Sequence, residues 1–166
     1  MIITRRIQPG EADLFKRIRL IALQNAPYAF SSTYDSALRR TAESWREQAE
    51  SSAFGNDRAT FITFSNNEPV GIAALYRLDN QADVGEMLQV WVAPEQRGTG
   101  VAWDLMNAIF TWADGNNFRT VIAKVTNGNS RAIKFYIKYG FSIGGTDEYP
   151  QQDVDDVTLV KEVKKE

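Results

Sequence analysis

The sequence predicts a single domain of the α/β class, with an α+β mixed sheet. The sheet has about seven strands, and about four helices cover both of its faces. Three observations support this prediction. The length of 166 residues suits one domain with a real core. Two helical segments are followed by β-rich runs joined by short polar turns. After Pro94, strand and helix alternate, which is typical of a crossover between parallel strands.

The first half of the chain opens with a short strand at residues 1–7, which Pro9 and Gly10 end. Apolar residues recur at helical spacing from Glu11 to about Asn25, and Pro27 stops that helix. The following segment predicts a loop or a broken helix. A second amphipathic helix opens at Thr41 and continues to about Ala53.

Three strands come next. The runs "ATFITF" and "VGIAALYRL" predict a hairpin because the polar turn "SNNEP" joins them, and "VGEMLQVWVA" predicts the fourth strand. Beyond Pro94 the pattern predicts a helix that "DGNN" ends, the strand "RTVIAKVT" and the helix "NSRAIKFYIKYG". Gly140 is expected to end that helix with a positive φ, with Phe141 packed back onto it. "FSIGGTDEY" and "DVTLVKEV" predict the last two strands.

The composition narrows the chemistry. The chain contains no cysteine and no histidine, which excludes disulfides, thiolate or histidine metal sites and a Ser-His-Asp triad. Acid–base work therefore falls to Glu, Asp, Tyr, Lys, the backbone or water. A net charge of −2 gives no sign of nucleic-acid or membrane binding. No apolar run reaches membrane-spanning length, and the N-terminus lacks a signal peptide's apolar core, so we expect a cytoplasmic protein.

The stretch "PEQRGTGVAWDLMNA" places two glycines where a strand passes into a helix. Glycine allows a tight turn and close approach to a ligand, and a helix start offers unpaired N–H groups and a positive dipole end. This combination favours an anion site, often for phosphate, although a ligand-free turn is an equal alternative. A Walker loop needs Lys-Ser/Thr after Gly100, but Val101-Ala102 follows, so the stretch does not fit a loop for nucleoside triphosphates. A dinucleotide-binding motif needs a glycine where Trp103 stands, so the stretch does not fit that motif either.

The segment Arg97–Ala102 fits the pattern Q/R-x-x-G-x-G/A, which resembles the signature of the GNAT superfamily of N-acetyltransferases. A second segment, "NSRAIKFYIKYGF", is similar to that superfamily's N-x-x-A-x-x-x-Y-x-x-x-G-F pattern. One helix and one strand separate the two segments, as in the superfamily. The resemblance implies a GNAT-like fold, mostly antiparallel, whose central parallel strand pair is splayed to admit coenzyme A. It also implies that residues 1–166 form a single N-acetyltransferase domain.

The resemblance implies acetyl-CoA as co-substrate, with no metal. Main-chain groups of the fourth strand are expected to pair with the pantetheine arm, and loop amides to hold the pyrophosphate. The expected cofactor-binding residues are Val90, Trp91, Val92, Arg97, Gly98, Thr99, Gly100, Val101, Ala102, Trp103, Asn129 and Tyr136. Asn129 is also expected to cap the helix that it precedes.

The same resemblance implies three catalytic groups. The Val92 N–H is expected to stabilise the oxyanion, and Tyr136 to protonate the departing thiolate. The alternative for Tyr136 is an aromatic residue that only packs. Glu86 is expected to be the base or a residue that anchors the substrate. The alternatives are that Glu86 is only an exposed charge on the strand, or that backbone groups and water carry the proton away without a base. Strand alternation puts Glu86 on the face of Leu88, Val90 and Val92 unless a bulge intervenes.

The resemblance implies an acceptor site walled by the first helices and the loop that includes Phe30, with Tyr76, Glu86 and Gln89 as further candidate substrate-binding residues. Carboxylates of the last turn would favour a cationic amine. The alternative is an acidic, solvated turn. These turn residues are Asp147, Glu148, Asp153, Asp155 and Asp156.

The sequence thus predicts direct acetyl transfer to a primary amine of a small molecule or peptide, without an acyl-enzyme, because the usual cysteine nucleophile is absent. A non-catalytic acyl-CoA sensor on the same fold is the main alternative, and a nucleotide-binding domain is a third. A homodimer is possible on the resemblance.

Overall fold

The computed structural model describes residues 1–27, 32–144 and 156–164. These residues form a seven-stranded sheet of order β1-β2-β3-β4-β5-β7-β6. The strands are β1 (Ile2–Arg6), β2 (Arg58–Ser65), β3 (Glu68–Arg77), β4 (Val84–Val92), β5 (Thr120–Thr126), β6 (Ser142–Ile143) and β7 (Asp156–Glu162). The helices are α1 (Ala12–Asn25), α2 (Tyr34–Leu38), α3 (Ala42–Ala53), α4 (Val101–Gly115) and α5 (Ser130–Tyr139).

Every strand pair is antiparallel except β4 and β5, so the predicted mixed sheet with a parallel pair at its centre is confirmed. The β2–β3 hairpin turns at Asn66 and Asn67, which have φ of 49° and 72°. Asparagine tolerates this left-handed region, which suits a two-residue hairpin turn. The predicted turn "SNNEP" therefore forms where its chemistry indicates.

Two irregularities shape the middle of the sheet. The parallel ladder between β4 and β5 runs only from Val84–Thr120 to Met87–Ala123. Beyond it, the last residues of the two strands do not pair with each other, which is the splay that the resemblance implied. The second irregularity is a bulge in β4, because Leu88 pairs with Ala74 but Trp91 pairs with Ile72.

Helices cover both faces of the sheet. On one face α1 and α3 are tied to the strands by side-chain bonds, from Trp91 Nε1 to Asn25 Oδ1 (3.2 Å) and from Gln48 Nε2 to the Tyr76 hydroxyl (2.9 Å). On the other face α4 lies so close to β3 that a Cβ added to Gly71 would come within 2.9 Å of Val101. The central strands are therefore buried from both sides.

The helix boundaries agree closely with those predicted from the sequence. Thr41 caps α3 by accepting from the Ser44 amide, and the segment predicted as a loop or broken helix contains the short α2, which Thr33 begins with a capping box. This helix brings the number to five where about four were expected. Gly140, with φ 123°, ends α5, and the Phe141 amide bonds back to the Tyr136 carbonyl, as in a Schellman motif. None of the helices in the described part of the chain is long and apolar enough to cross a membrane.

Candidate active site

The chain leaves β4 through a loop built from two left-handed glycines. A single 3₁₀ turn, Pro94–Gln96, follows the strand, and then Gly98 and Gly100 adopt φ of 82° and 95°. Gly100 is the N-cap of α4, with no side-chain hydrogen bond to the first turn. Because only glycine enters this region without steric cost, the two glycines set the direction in which the helix starts. We call residues 97–100 the glycine loop.

The amides at this corner face outward without internal partners. Among the described residues, none accepts a hydrogen bond from the main-chain N–H of Gly98, Gly100, Val101, Ala102 or Trp103. The Thr99 amide differs, because it bonds back to the Gln96 carbonyl at 3.3 Å. Exposed N–H groups at the positive end of a helix dipole form a typical site for phosphate oxygens. Five of the six expected loop amides are therefore available to a ligand.

The space beside these amides is open. A Cβ built on Gly98 or Gly100 would meet no atom within 4 Å, so a ligand could approach the backbone closely. Arg97 is exposed at the start of the loop, and Arg131 in the first turn of α5 is near enough to interact with it electrostatically. Partial burial and then the Arg131 charge lower the pKa of Arg97. Two cations thus converge beside the unpaired amides, which favours an anion there.

The main-chain N–H of Val92 also points toward the gap between the splayed ends of β4 and β5. The Ala93 amide donates to the Val70 carbonyl at 2.8 Å, which makes Ala93 and Val70 a hydrogen-bonded pair of the β3–β4 ladder. Since such pairs alternate along an antiparallel ladder, the adjacent pair of Val92 and Gly71 is not hydrogen-bonded. The Val92 N–H therefore points away from β3, toward the side where β5 no longer pairs with β4.

The bulge corrects the expected grouping of β4 side chains. Gln89 has φ 61°, and residues 89 and 90 together oppose the single residue Ala73 of β3. Side chains on either side of a bulge change register by one, so Glu86 and Leu88 share a face with Trp91. Val92 lies on the opposite face, opposite Gly71 and toward α4. The bulge is the alternative that the sequence left open, and with it Glu86 keeps the face of Leu88 but not that of Val92.

Gln89 itself occupies the bulge, half-buried. Its Oε1 atom is buried and has no hydrogen-bond partner among the described residues. A buried carbonyl oxygen without a partner costs free energy, which is the kind of strain that concentrates at binding sites. A role for Gln89 in the candidate site therefore stays a prediction.

Tyr136 is buried in α5, with 5% of its surface exposed. Its ring packs edge-on against Phe141 at 5.2 Å and Phe135 at 5.7 Å between centroids. Its hydroxyl bonds to none of the residues that the structure describes. Burial raises the pKa of Tyr136 well above that of a free phenol, so the hydroxyl remains protonated at all physiological pH values.

An aromatic cluster joins α5 to the start of α4. It is formed by Trp103, Phe110, Phe135, Tyr136, Tyr139 and Phe141. Trp103, in the first turn of α4, packs against Tyr139 at 4.7 Å and against Phe135 at 6.2 Å. The Tyr139 hydroxyl also donates to Asn107 Oδ1 at 2.7 Å. This cluster holds the helix that carries Tyr136 against the helix that begins at the glycine loop.

Asn129 caps α5, as the sequence predicts. Its Oδ1 accepts a hydrogen bond from the Ala132 amide at 3.3 Å. The Nδ2 group of the same side chain remains a donor, and Asn129 lies between the splayed end of β5 and α5.

The candidate acceptor residues lie on the face covered by α1 and α3. Glu86 and Tyr76 are direct cross-strand partners, so their side chains project to the same side. A cavity of about 520 Å³ is lined by both residues, together with Arg58, Asp79 and Leu88. We call it the Tyr76 cavity. Phe30 and the acidic turn residues Asp147, Glu148, Asp153 and Asp155 lie outside the described residues, whereas Asp156 begins β7.

Several charged residues near these sites were missed from the sequence. Arg131 follows Asn129 in the second motif segment, and its place in a helix's first turn was the signal that could have marked it. Arg19 of α1, Arg40 of the turn between α2 and α3, and Arg58 of β2 approach Tyr76 only in the folded chain, so no local pattern indicates them. The structure also shows no set of three carboxylates arranged to hold a metal ion, as far as its described residues extend.

Known proteins share both the sequence features and the architecture. Residues 19–141 match the Acetyltransferase (GNAT) family. Uncharacterized N-acetyltransferases of Mycobacterium bovis and Mycobacterium tuberculosis are 38% identical over 90 residues, which is 54% of this chain and 56% of theirs. The chain thus matches little more than half the length of these curated relatives.

Solved structures match along nearly the whole chain. A GNAT-family acetyltransferase from Streptococcus pneumoniae superposes with a TM-score of 0.80 at 19% identity, covering 99% of this chain and 100% of that one. The PaiA N-acetyltransferase from Thermoplasma acidophilum, in complex with coenzyme A, gives 0.78 at 17% identity, covering 98% and 99%. At these identities the likeness shows the fold alone, and the match to residues 19–141 shows the family. The chain belongs to the acetyltransferase (GNAT) family.

Proposed function

We propose that this chain, acting as a single domain over residues 1–166, transfers an acetyl group from acetyl-CoA to a primary amine. The acceptor is a small molecule or a peptide, and transfer is direct, within a ternary complex. One observation carries the proposal: at the start of α4, five main-chain amides lack acceptors among the described residues, and the space beside Gly98 and Gly100 is open. Family membership and the CoA complex of the similar PaiA structure support the same ligand.

The residues at this corner fit a diphosphate with its attached arm. The amides of Gly98 and of Gly100 to Trp103 would hold the phosphate oxygens, with Arg97 and Arg131 adding positive charge. Thr99 is left to brace the loop, because its amide and hydroxyl both bond to Gln96. The unpaired edge of β4 at Val90, Trp91 and Val92 would receive the pantetheine amides by strand addition, with Asn129 as a further donor.

Acetyl-CoA supplies the activated acetyl thioester when it is bound. The Val92 N–H, directed into the splay, would donate to the carbonyl oxygen on which negative charge grows, a contact worth about 3 kcal/mol in similar enzymes. Glu86 lies six residues before Val92 on β4, so it would accept a proton from the ammonium form of the acceptor through water, which leaves a neutral amine to attack.

Tyr136 would donate its hydroxyl proton to the departing sulfur, and the second proton, which the attacking nitrogen loses as the amide forms, would restore the hydroxyl through water. Burial keeps its hydroxyl protonated, which is the state that a proton donor needs. The same burial makes Tyr136 a weaker acid than a free phenol, whose pKa is about 10. Proton transfer from Tyr136 to the thiolate is therefore less favourable than transfer from a free phenol. This feature favours the second candidate function, an acyl-CoA-binding domain without turnover.

Calorimetry and a thiol-release assay separate the two functions. We expect coenzyme A to bind the purified chain at one site, with ATP and NAD failing to compete. Acetyl-CoA with a panel of primary amines should release free thiol at a rate that depends on the amine. Binding of the coenzyme with no release from any amine would favour the sensor, and absence of coenzyme binding would contradict both functions.

A further inference from the structure

We propose that the indole ring of Trp103 stacks on the adenine ring of coenzyme A and so binds the adenosine end of the coenzyme. This inference rests on the proposed function, because it assigns a further part of the same coenzyme to a side chain. The proposed phosphate site uses only the main-chain amide of Trp103 and leaves its large side chain without a role.

Trp103 is the most exposed of the four tryptophans in the chain. Trp45 and Trp91 are 2% and 6% exposed, Trp112 is half-buried, and Trp103 keeps 39% of its surface exposed. Covering an indole with a ligand removes much apolar surface from water, which is favourable. A single exposed apolar residue is ordinary by itself, so the argument depends on where this ring lies and on how it is held.

The ring lies beside the unpaired amides. Trp103 stands three residues after the Gly100 N-cap, in the first turn of α4. It is about 200° around the helix from Val101, which packs toward Gly71 of β3, so its side chain projects away from the sheet. Helical side chains also lean toward the N-terminus of their helix. The indole is therefore directed outward and toward the corner that would hold the diphosphate.

The two arms of a bound diphosphate leave in different directions. The pantetheine arm would run back along β4, where Val90, Trp91 and Val92 leave an unpaired edge. The adenosine is attached to the other phosphate, so it would leave the corner on the side away from β4. Trp103 is the exposed aromatic residue of the first turn of α4, which lies on that side.

The indole is oriented before any ligand arrives. It contacts Tyr139 at 4.7 Å and Phe135 at 6.2 Å between ring centres, with interplanar angles of 68° and 87°. The hydrogen bond from the Tyr139 hydroxyl to Asn107 Oδ1 fixes one of these neighbours in turn. Both ring contacts are steeply inclined, so no ring of the described residues stacks flat on the indole. A fixed ring that can still accept a flat partner binds it at a lower cost in entropy.

Adenine has the chemistry that such a ring binds. Every nucleobase has a π-face, and stacking on tryptophan or another aromatic side chain is a common way to hold a base without hydrogen bonds to its edges. Adenine is also uncharged. The carboxylates of Glu95 and Asp104, which are near this corner in the sequence, therefore do not oppose its binding.

Three ligands that share the pantetheine arm test the inference by calorimetry. Coenzyme A is compared with dephospho-coenzyme A, which lacks only the 3′-phosphate, and with 4′-phosphopantetheine, which lacks the adenosine. We expect Trp103→Leu to weaken binding of the first two ligands about tenfold each, within the range for one base stacked on an aromatic ring. Affinity for 4′-phosphopantetheine should stay unchanged, and Trp103→Phe should keep part of the affinity for coenzyme A.

Trp112→Leu is the matched control. Trp112 is at the other end of α4 and packs against Phe118 at 5.3 Å between ring centres. Thermal unfolding of both leucine variants measures what each loses in packing. We expect both variants to be less stable than the natural chain, and only Trp103→Leu to bind coenzyme A more weakly. An equal loss of coenzyme affinity in Trp112→Leu would overturn the inference, because the stability of α4 would then explain it.

Tryptophan fluorescence gives a second readout that needs no turnover. A stacked adenine quenches the emission of an indole, so coenzyme A should quench the natural chain more strongly than 4′-phosphopantetheine does. Trp103→Phe retains the other three tryptophans and should lose this difference. If the difference persists in Trp103→Phe, adenine does not stack on Trp103 and the inference is overturned.

The remaining outcomes separate the inference from the proposed function. A natural chain that does not bind coenzyme A would contradict both. If coenzyme A binds but Trp103→Leu weakens all three ligands equally, Trp103 only shapes the loop, and the inference alone fails. A loss for coenzyme A without a loss for dephospho-coenzyme A would assign the contact to the 3′-phosphate instead. A dimer of the natural chain that Trp103→Leu converts to a monomer in sedimentation would show that a second copy covers the indole, which also overturns the inference.

Discussion

The two sides of the proposed active site are built from different parts of the chain. The proposed coenzyme side consists of main-chain amides at a strand-to-helix corner, with two glycines that set their direction. The proposed acceptor side consists of side chains from α3, β2, β3 and β4 that meet around Tyr76. Amides at a helix start bind any suitably placed phosphate, whereas converging side chains select one acceptor.

This difference teaches where substitutions act. No single side-chain deletion removes a main-chain donor, so these donors change only when the backbone conformation or the space beside them changes. The acceptor side loses a contact with each substitution.

Tyr136→Phe is expected to lower kcat by roughly 10²–10⁴, because it removes the proposed proton donor to sulfur and leaves the ring packed. Coenzyme affinity, measured by calorimetry, should change little. Tyr139→Phe is the matched control on the same helix, since it removes only the bond to Asn107 and should retain kcat. Unchanged kcat in Tyr136→Phe across all amines would reject the catalytic role and leave Tyr136 as a packing residue.

Glu86→Gln is expected to lower kcat/KM for the acceptor by about 10²-fold, within the range for a general base, without affecting coenzyme binding. The variant keeps the size of the side chain and removes only its ability to take a proton. Glu68→Gln, at the exposed start of β3, serves as the control. An equal loss in both variants would show that Glu86 acts through surface charge rather than at the acceptor.

Gly100→Ala is expected to weaken coenzyme binding about tenfold, because it strains a residue at φ 95° and places a methyl group in the space beside the loop amides. Gly55→Ala is a close control. Gly55 has φ 75° and equally open surroundings, but it lies in the turn before β2. Both variants should lose a similar amount of stability in thermal unfolding. If both also weakened coenzyme binding equally, the glycine loop would not be the binding site.

Arg97→Gln is expected to weaken coenzyme binding only a few-fold, since the side chain is exposed and salt screens its charge. The effect should be greatest at low ionic strength and fall as salt is added. Calorimetry at two salt concentrations measures this. A large loss that does not depend on salt would mean that Arg97 contributes through the fold of the loop rather than through charge.

The sequence predicted the coenzyme side better than the acceptor side for a physical reason. Local features determine a helix start: Gly98 and Gly100 supply the turn, Asn129 supplies a cap, and Gly140 ends a helix, each within a few residues of its effect. The succession of strands and helices along the chain follows equally from the periodicity of apolar residues. These parts could be predicted because they depend on short-range chemistry.

The acceptor side depends on contacts between residues far apart in the chain. Arg19 lies in α1, Arg40 in the turn between α2 and α3, and Arg58 in β2, and only the fold brings them near Tyr76. The face of Glu86 depended on whether β4 contains a bulge, and only the structure shows the bulge at Gln89 that shifts the alternation. The burial that raises the pKa of Tyr136 is likewise a product of the aromatic cluster.

Titration of the ¹⁵N-labelled chain with coenzyme A reports on each loop amide separately. We expect the amide resonances of Gly98, Gly100, Val101, Ala102 and Trp103 to shift on binding, while those at the start of α3, where Thr41 already caps the helix, do not shift. Saturable binding of the coenzyme with the five loop resonances unmoved would contradict the proposed coenzyme site, because the diphosphate would then lie elsewhere.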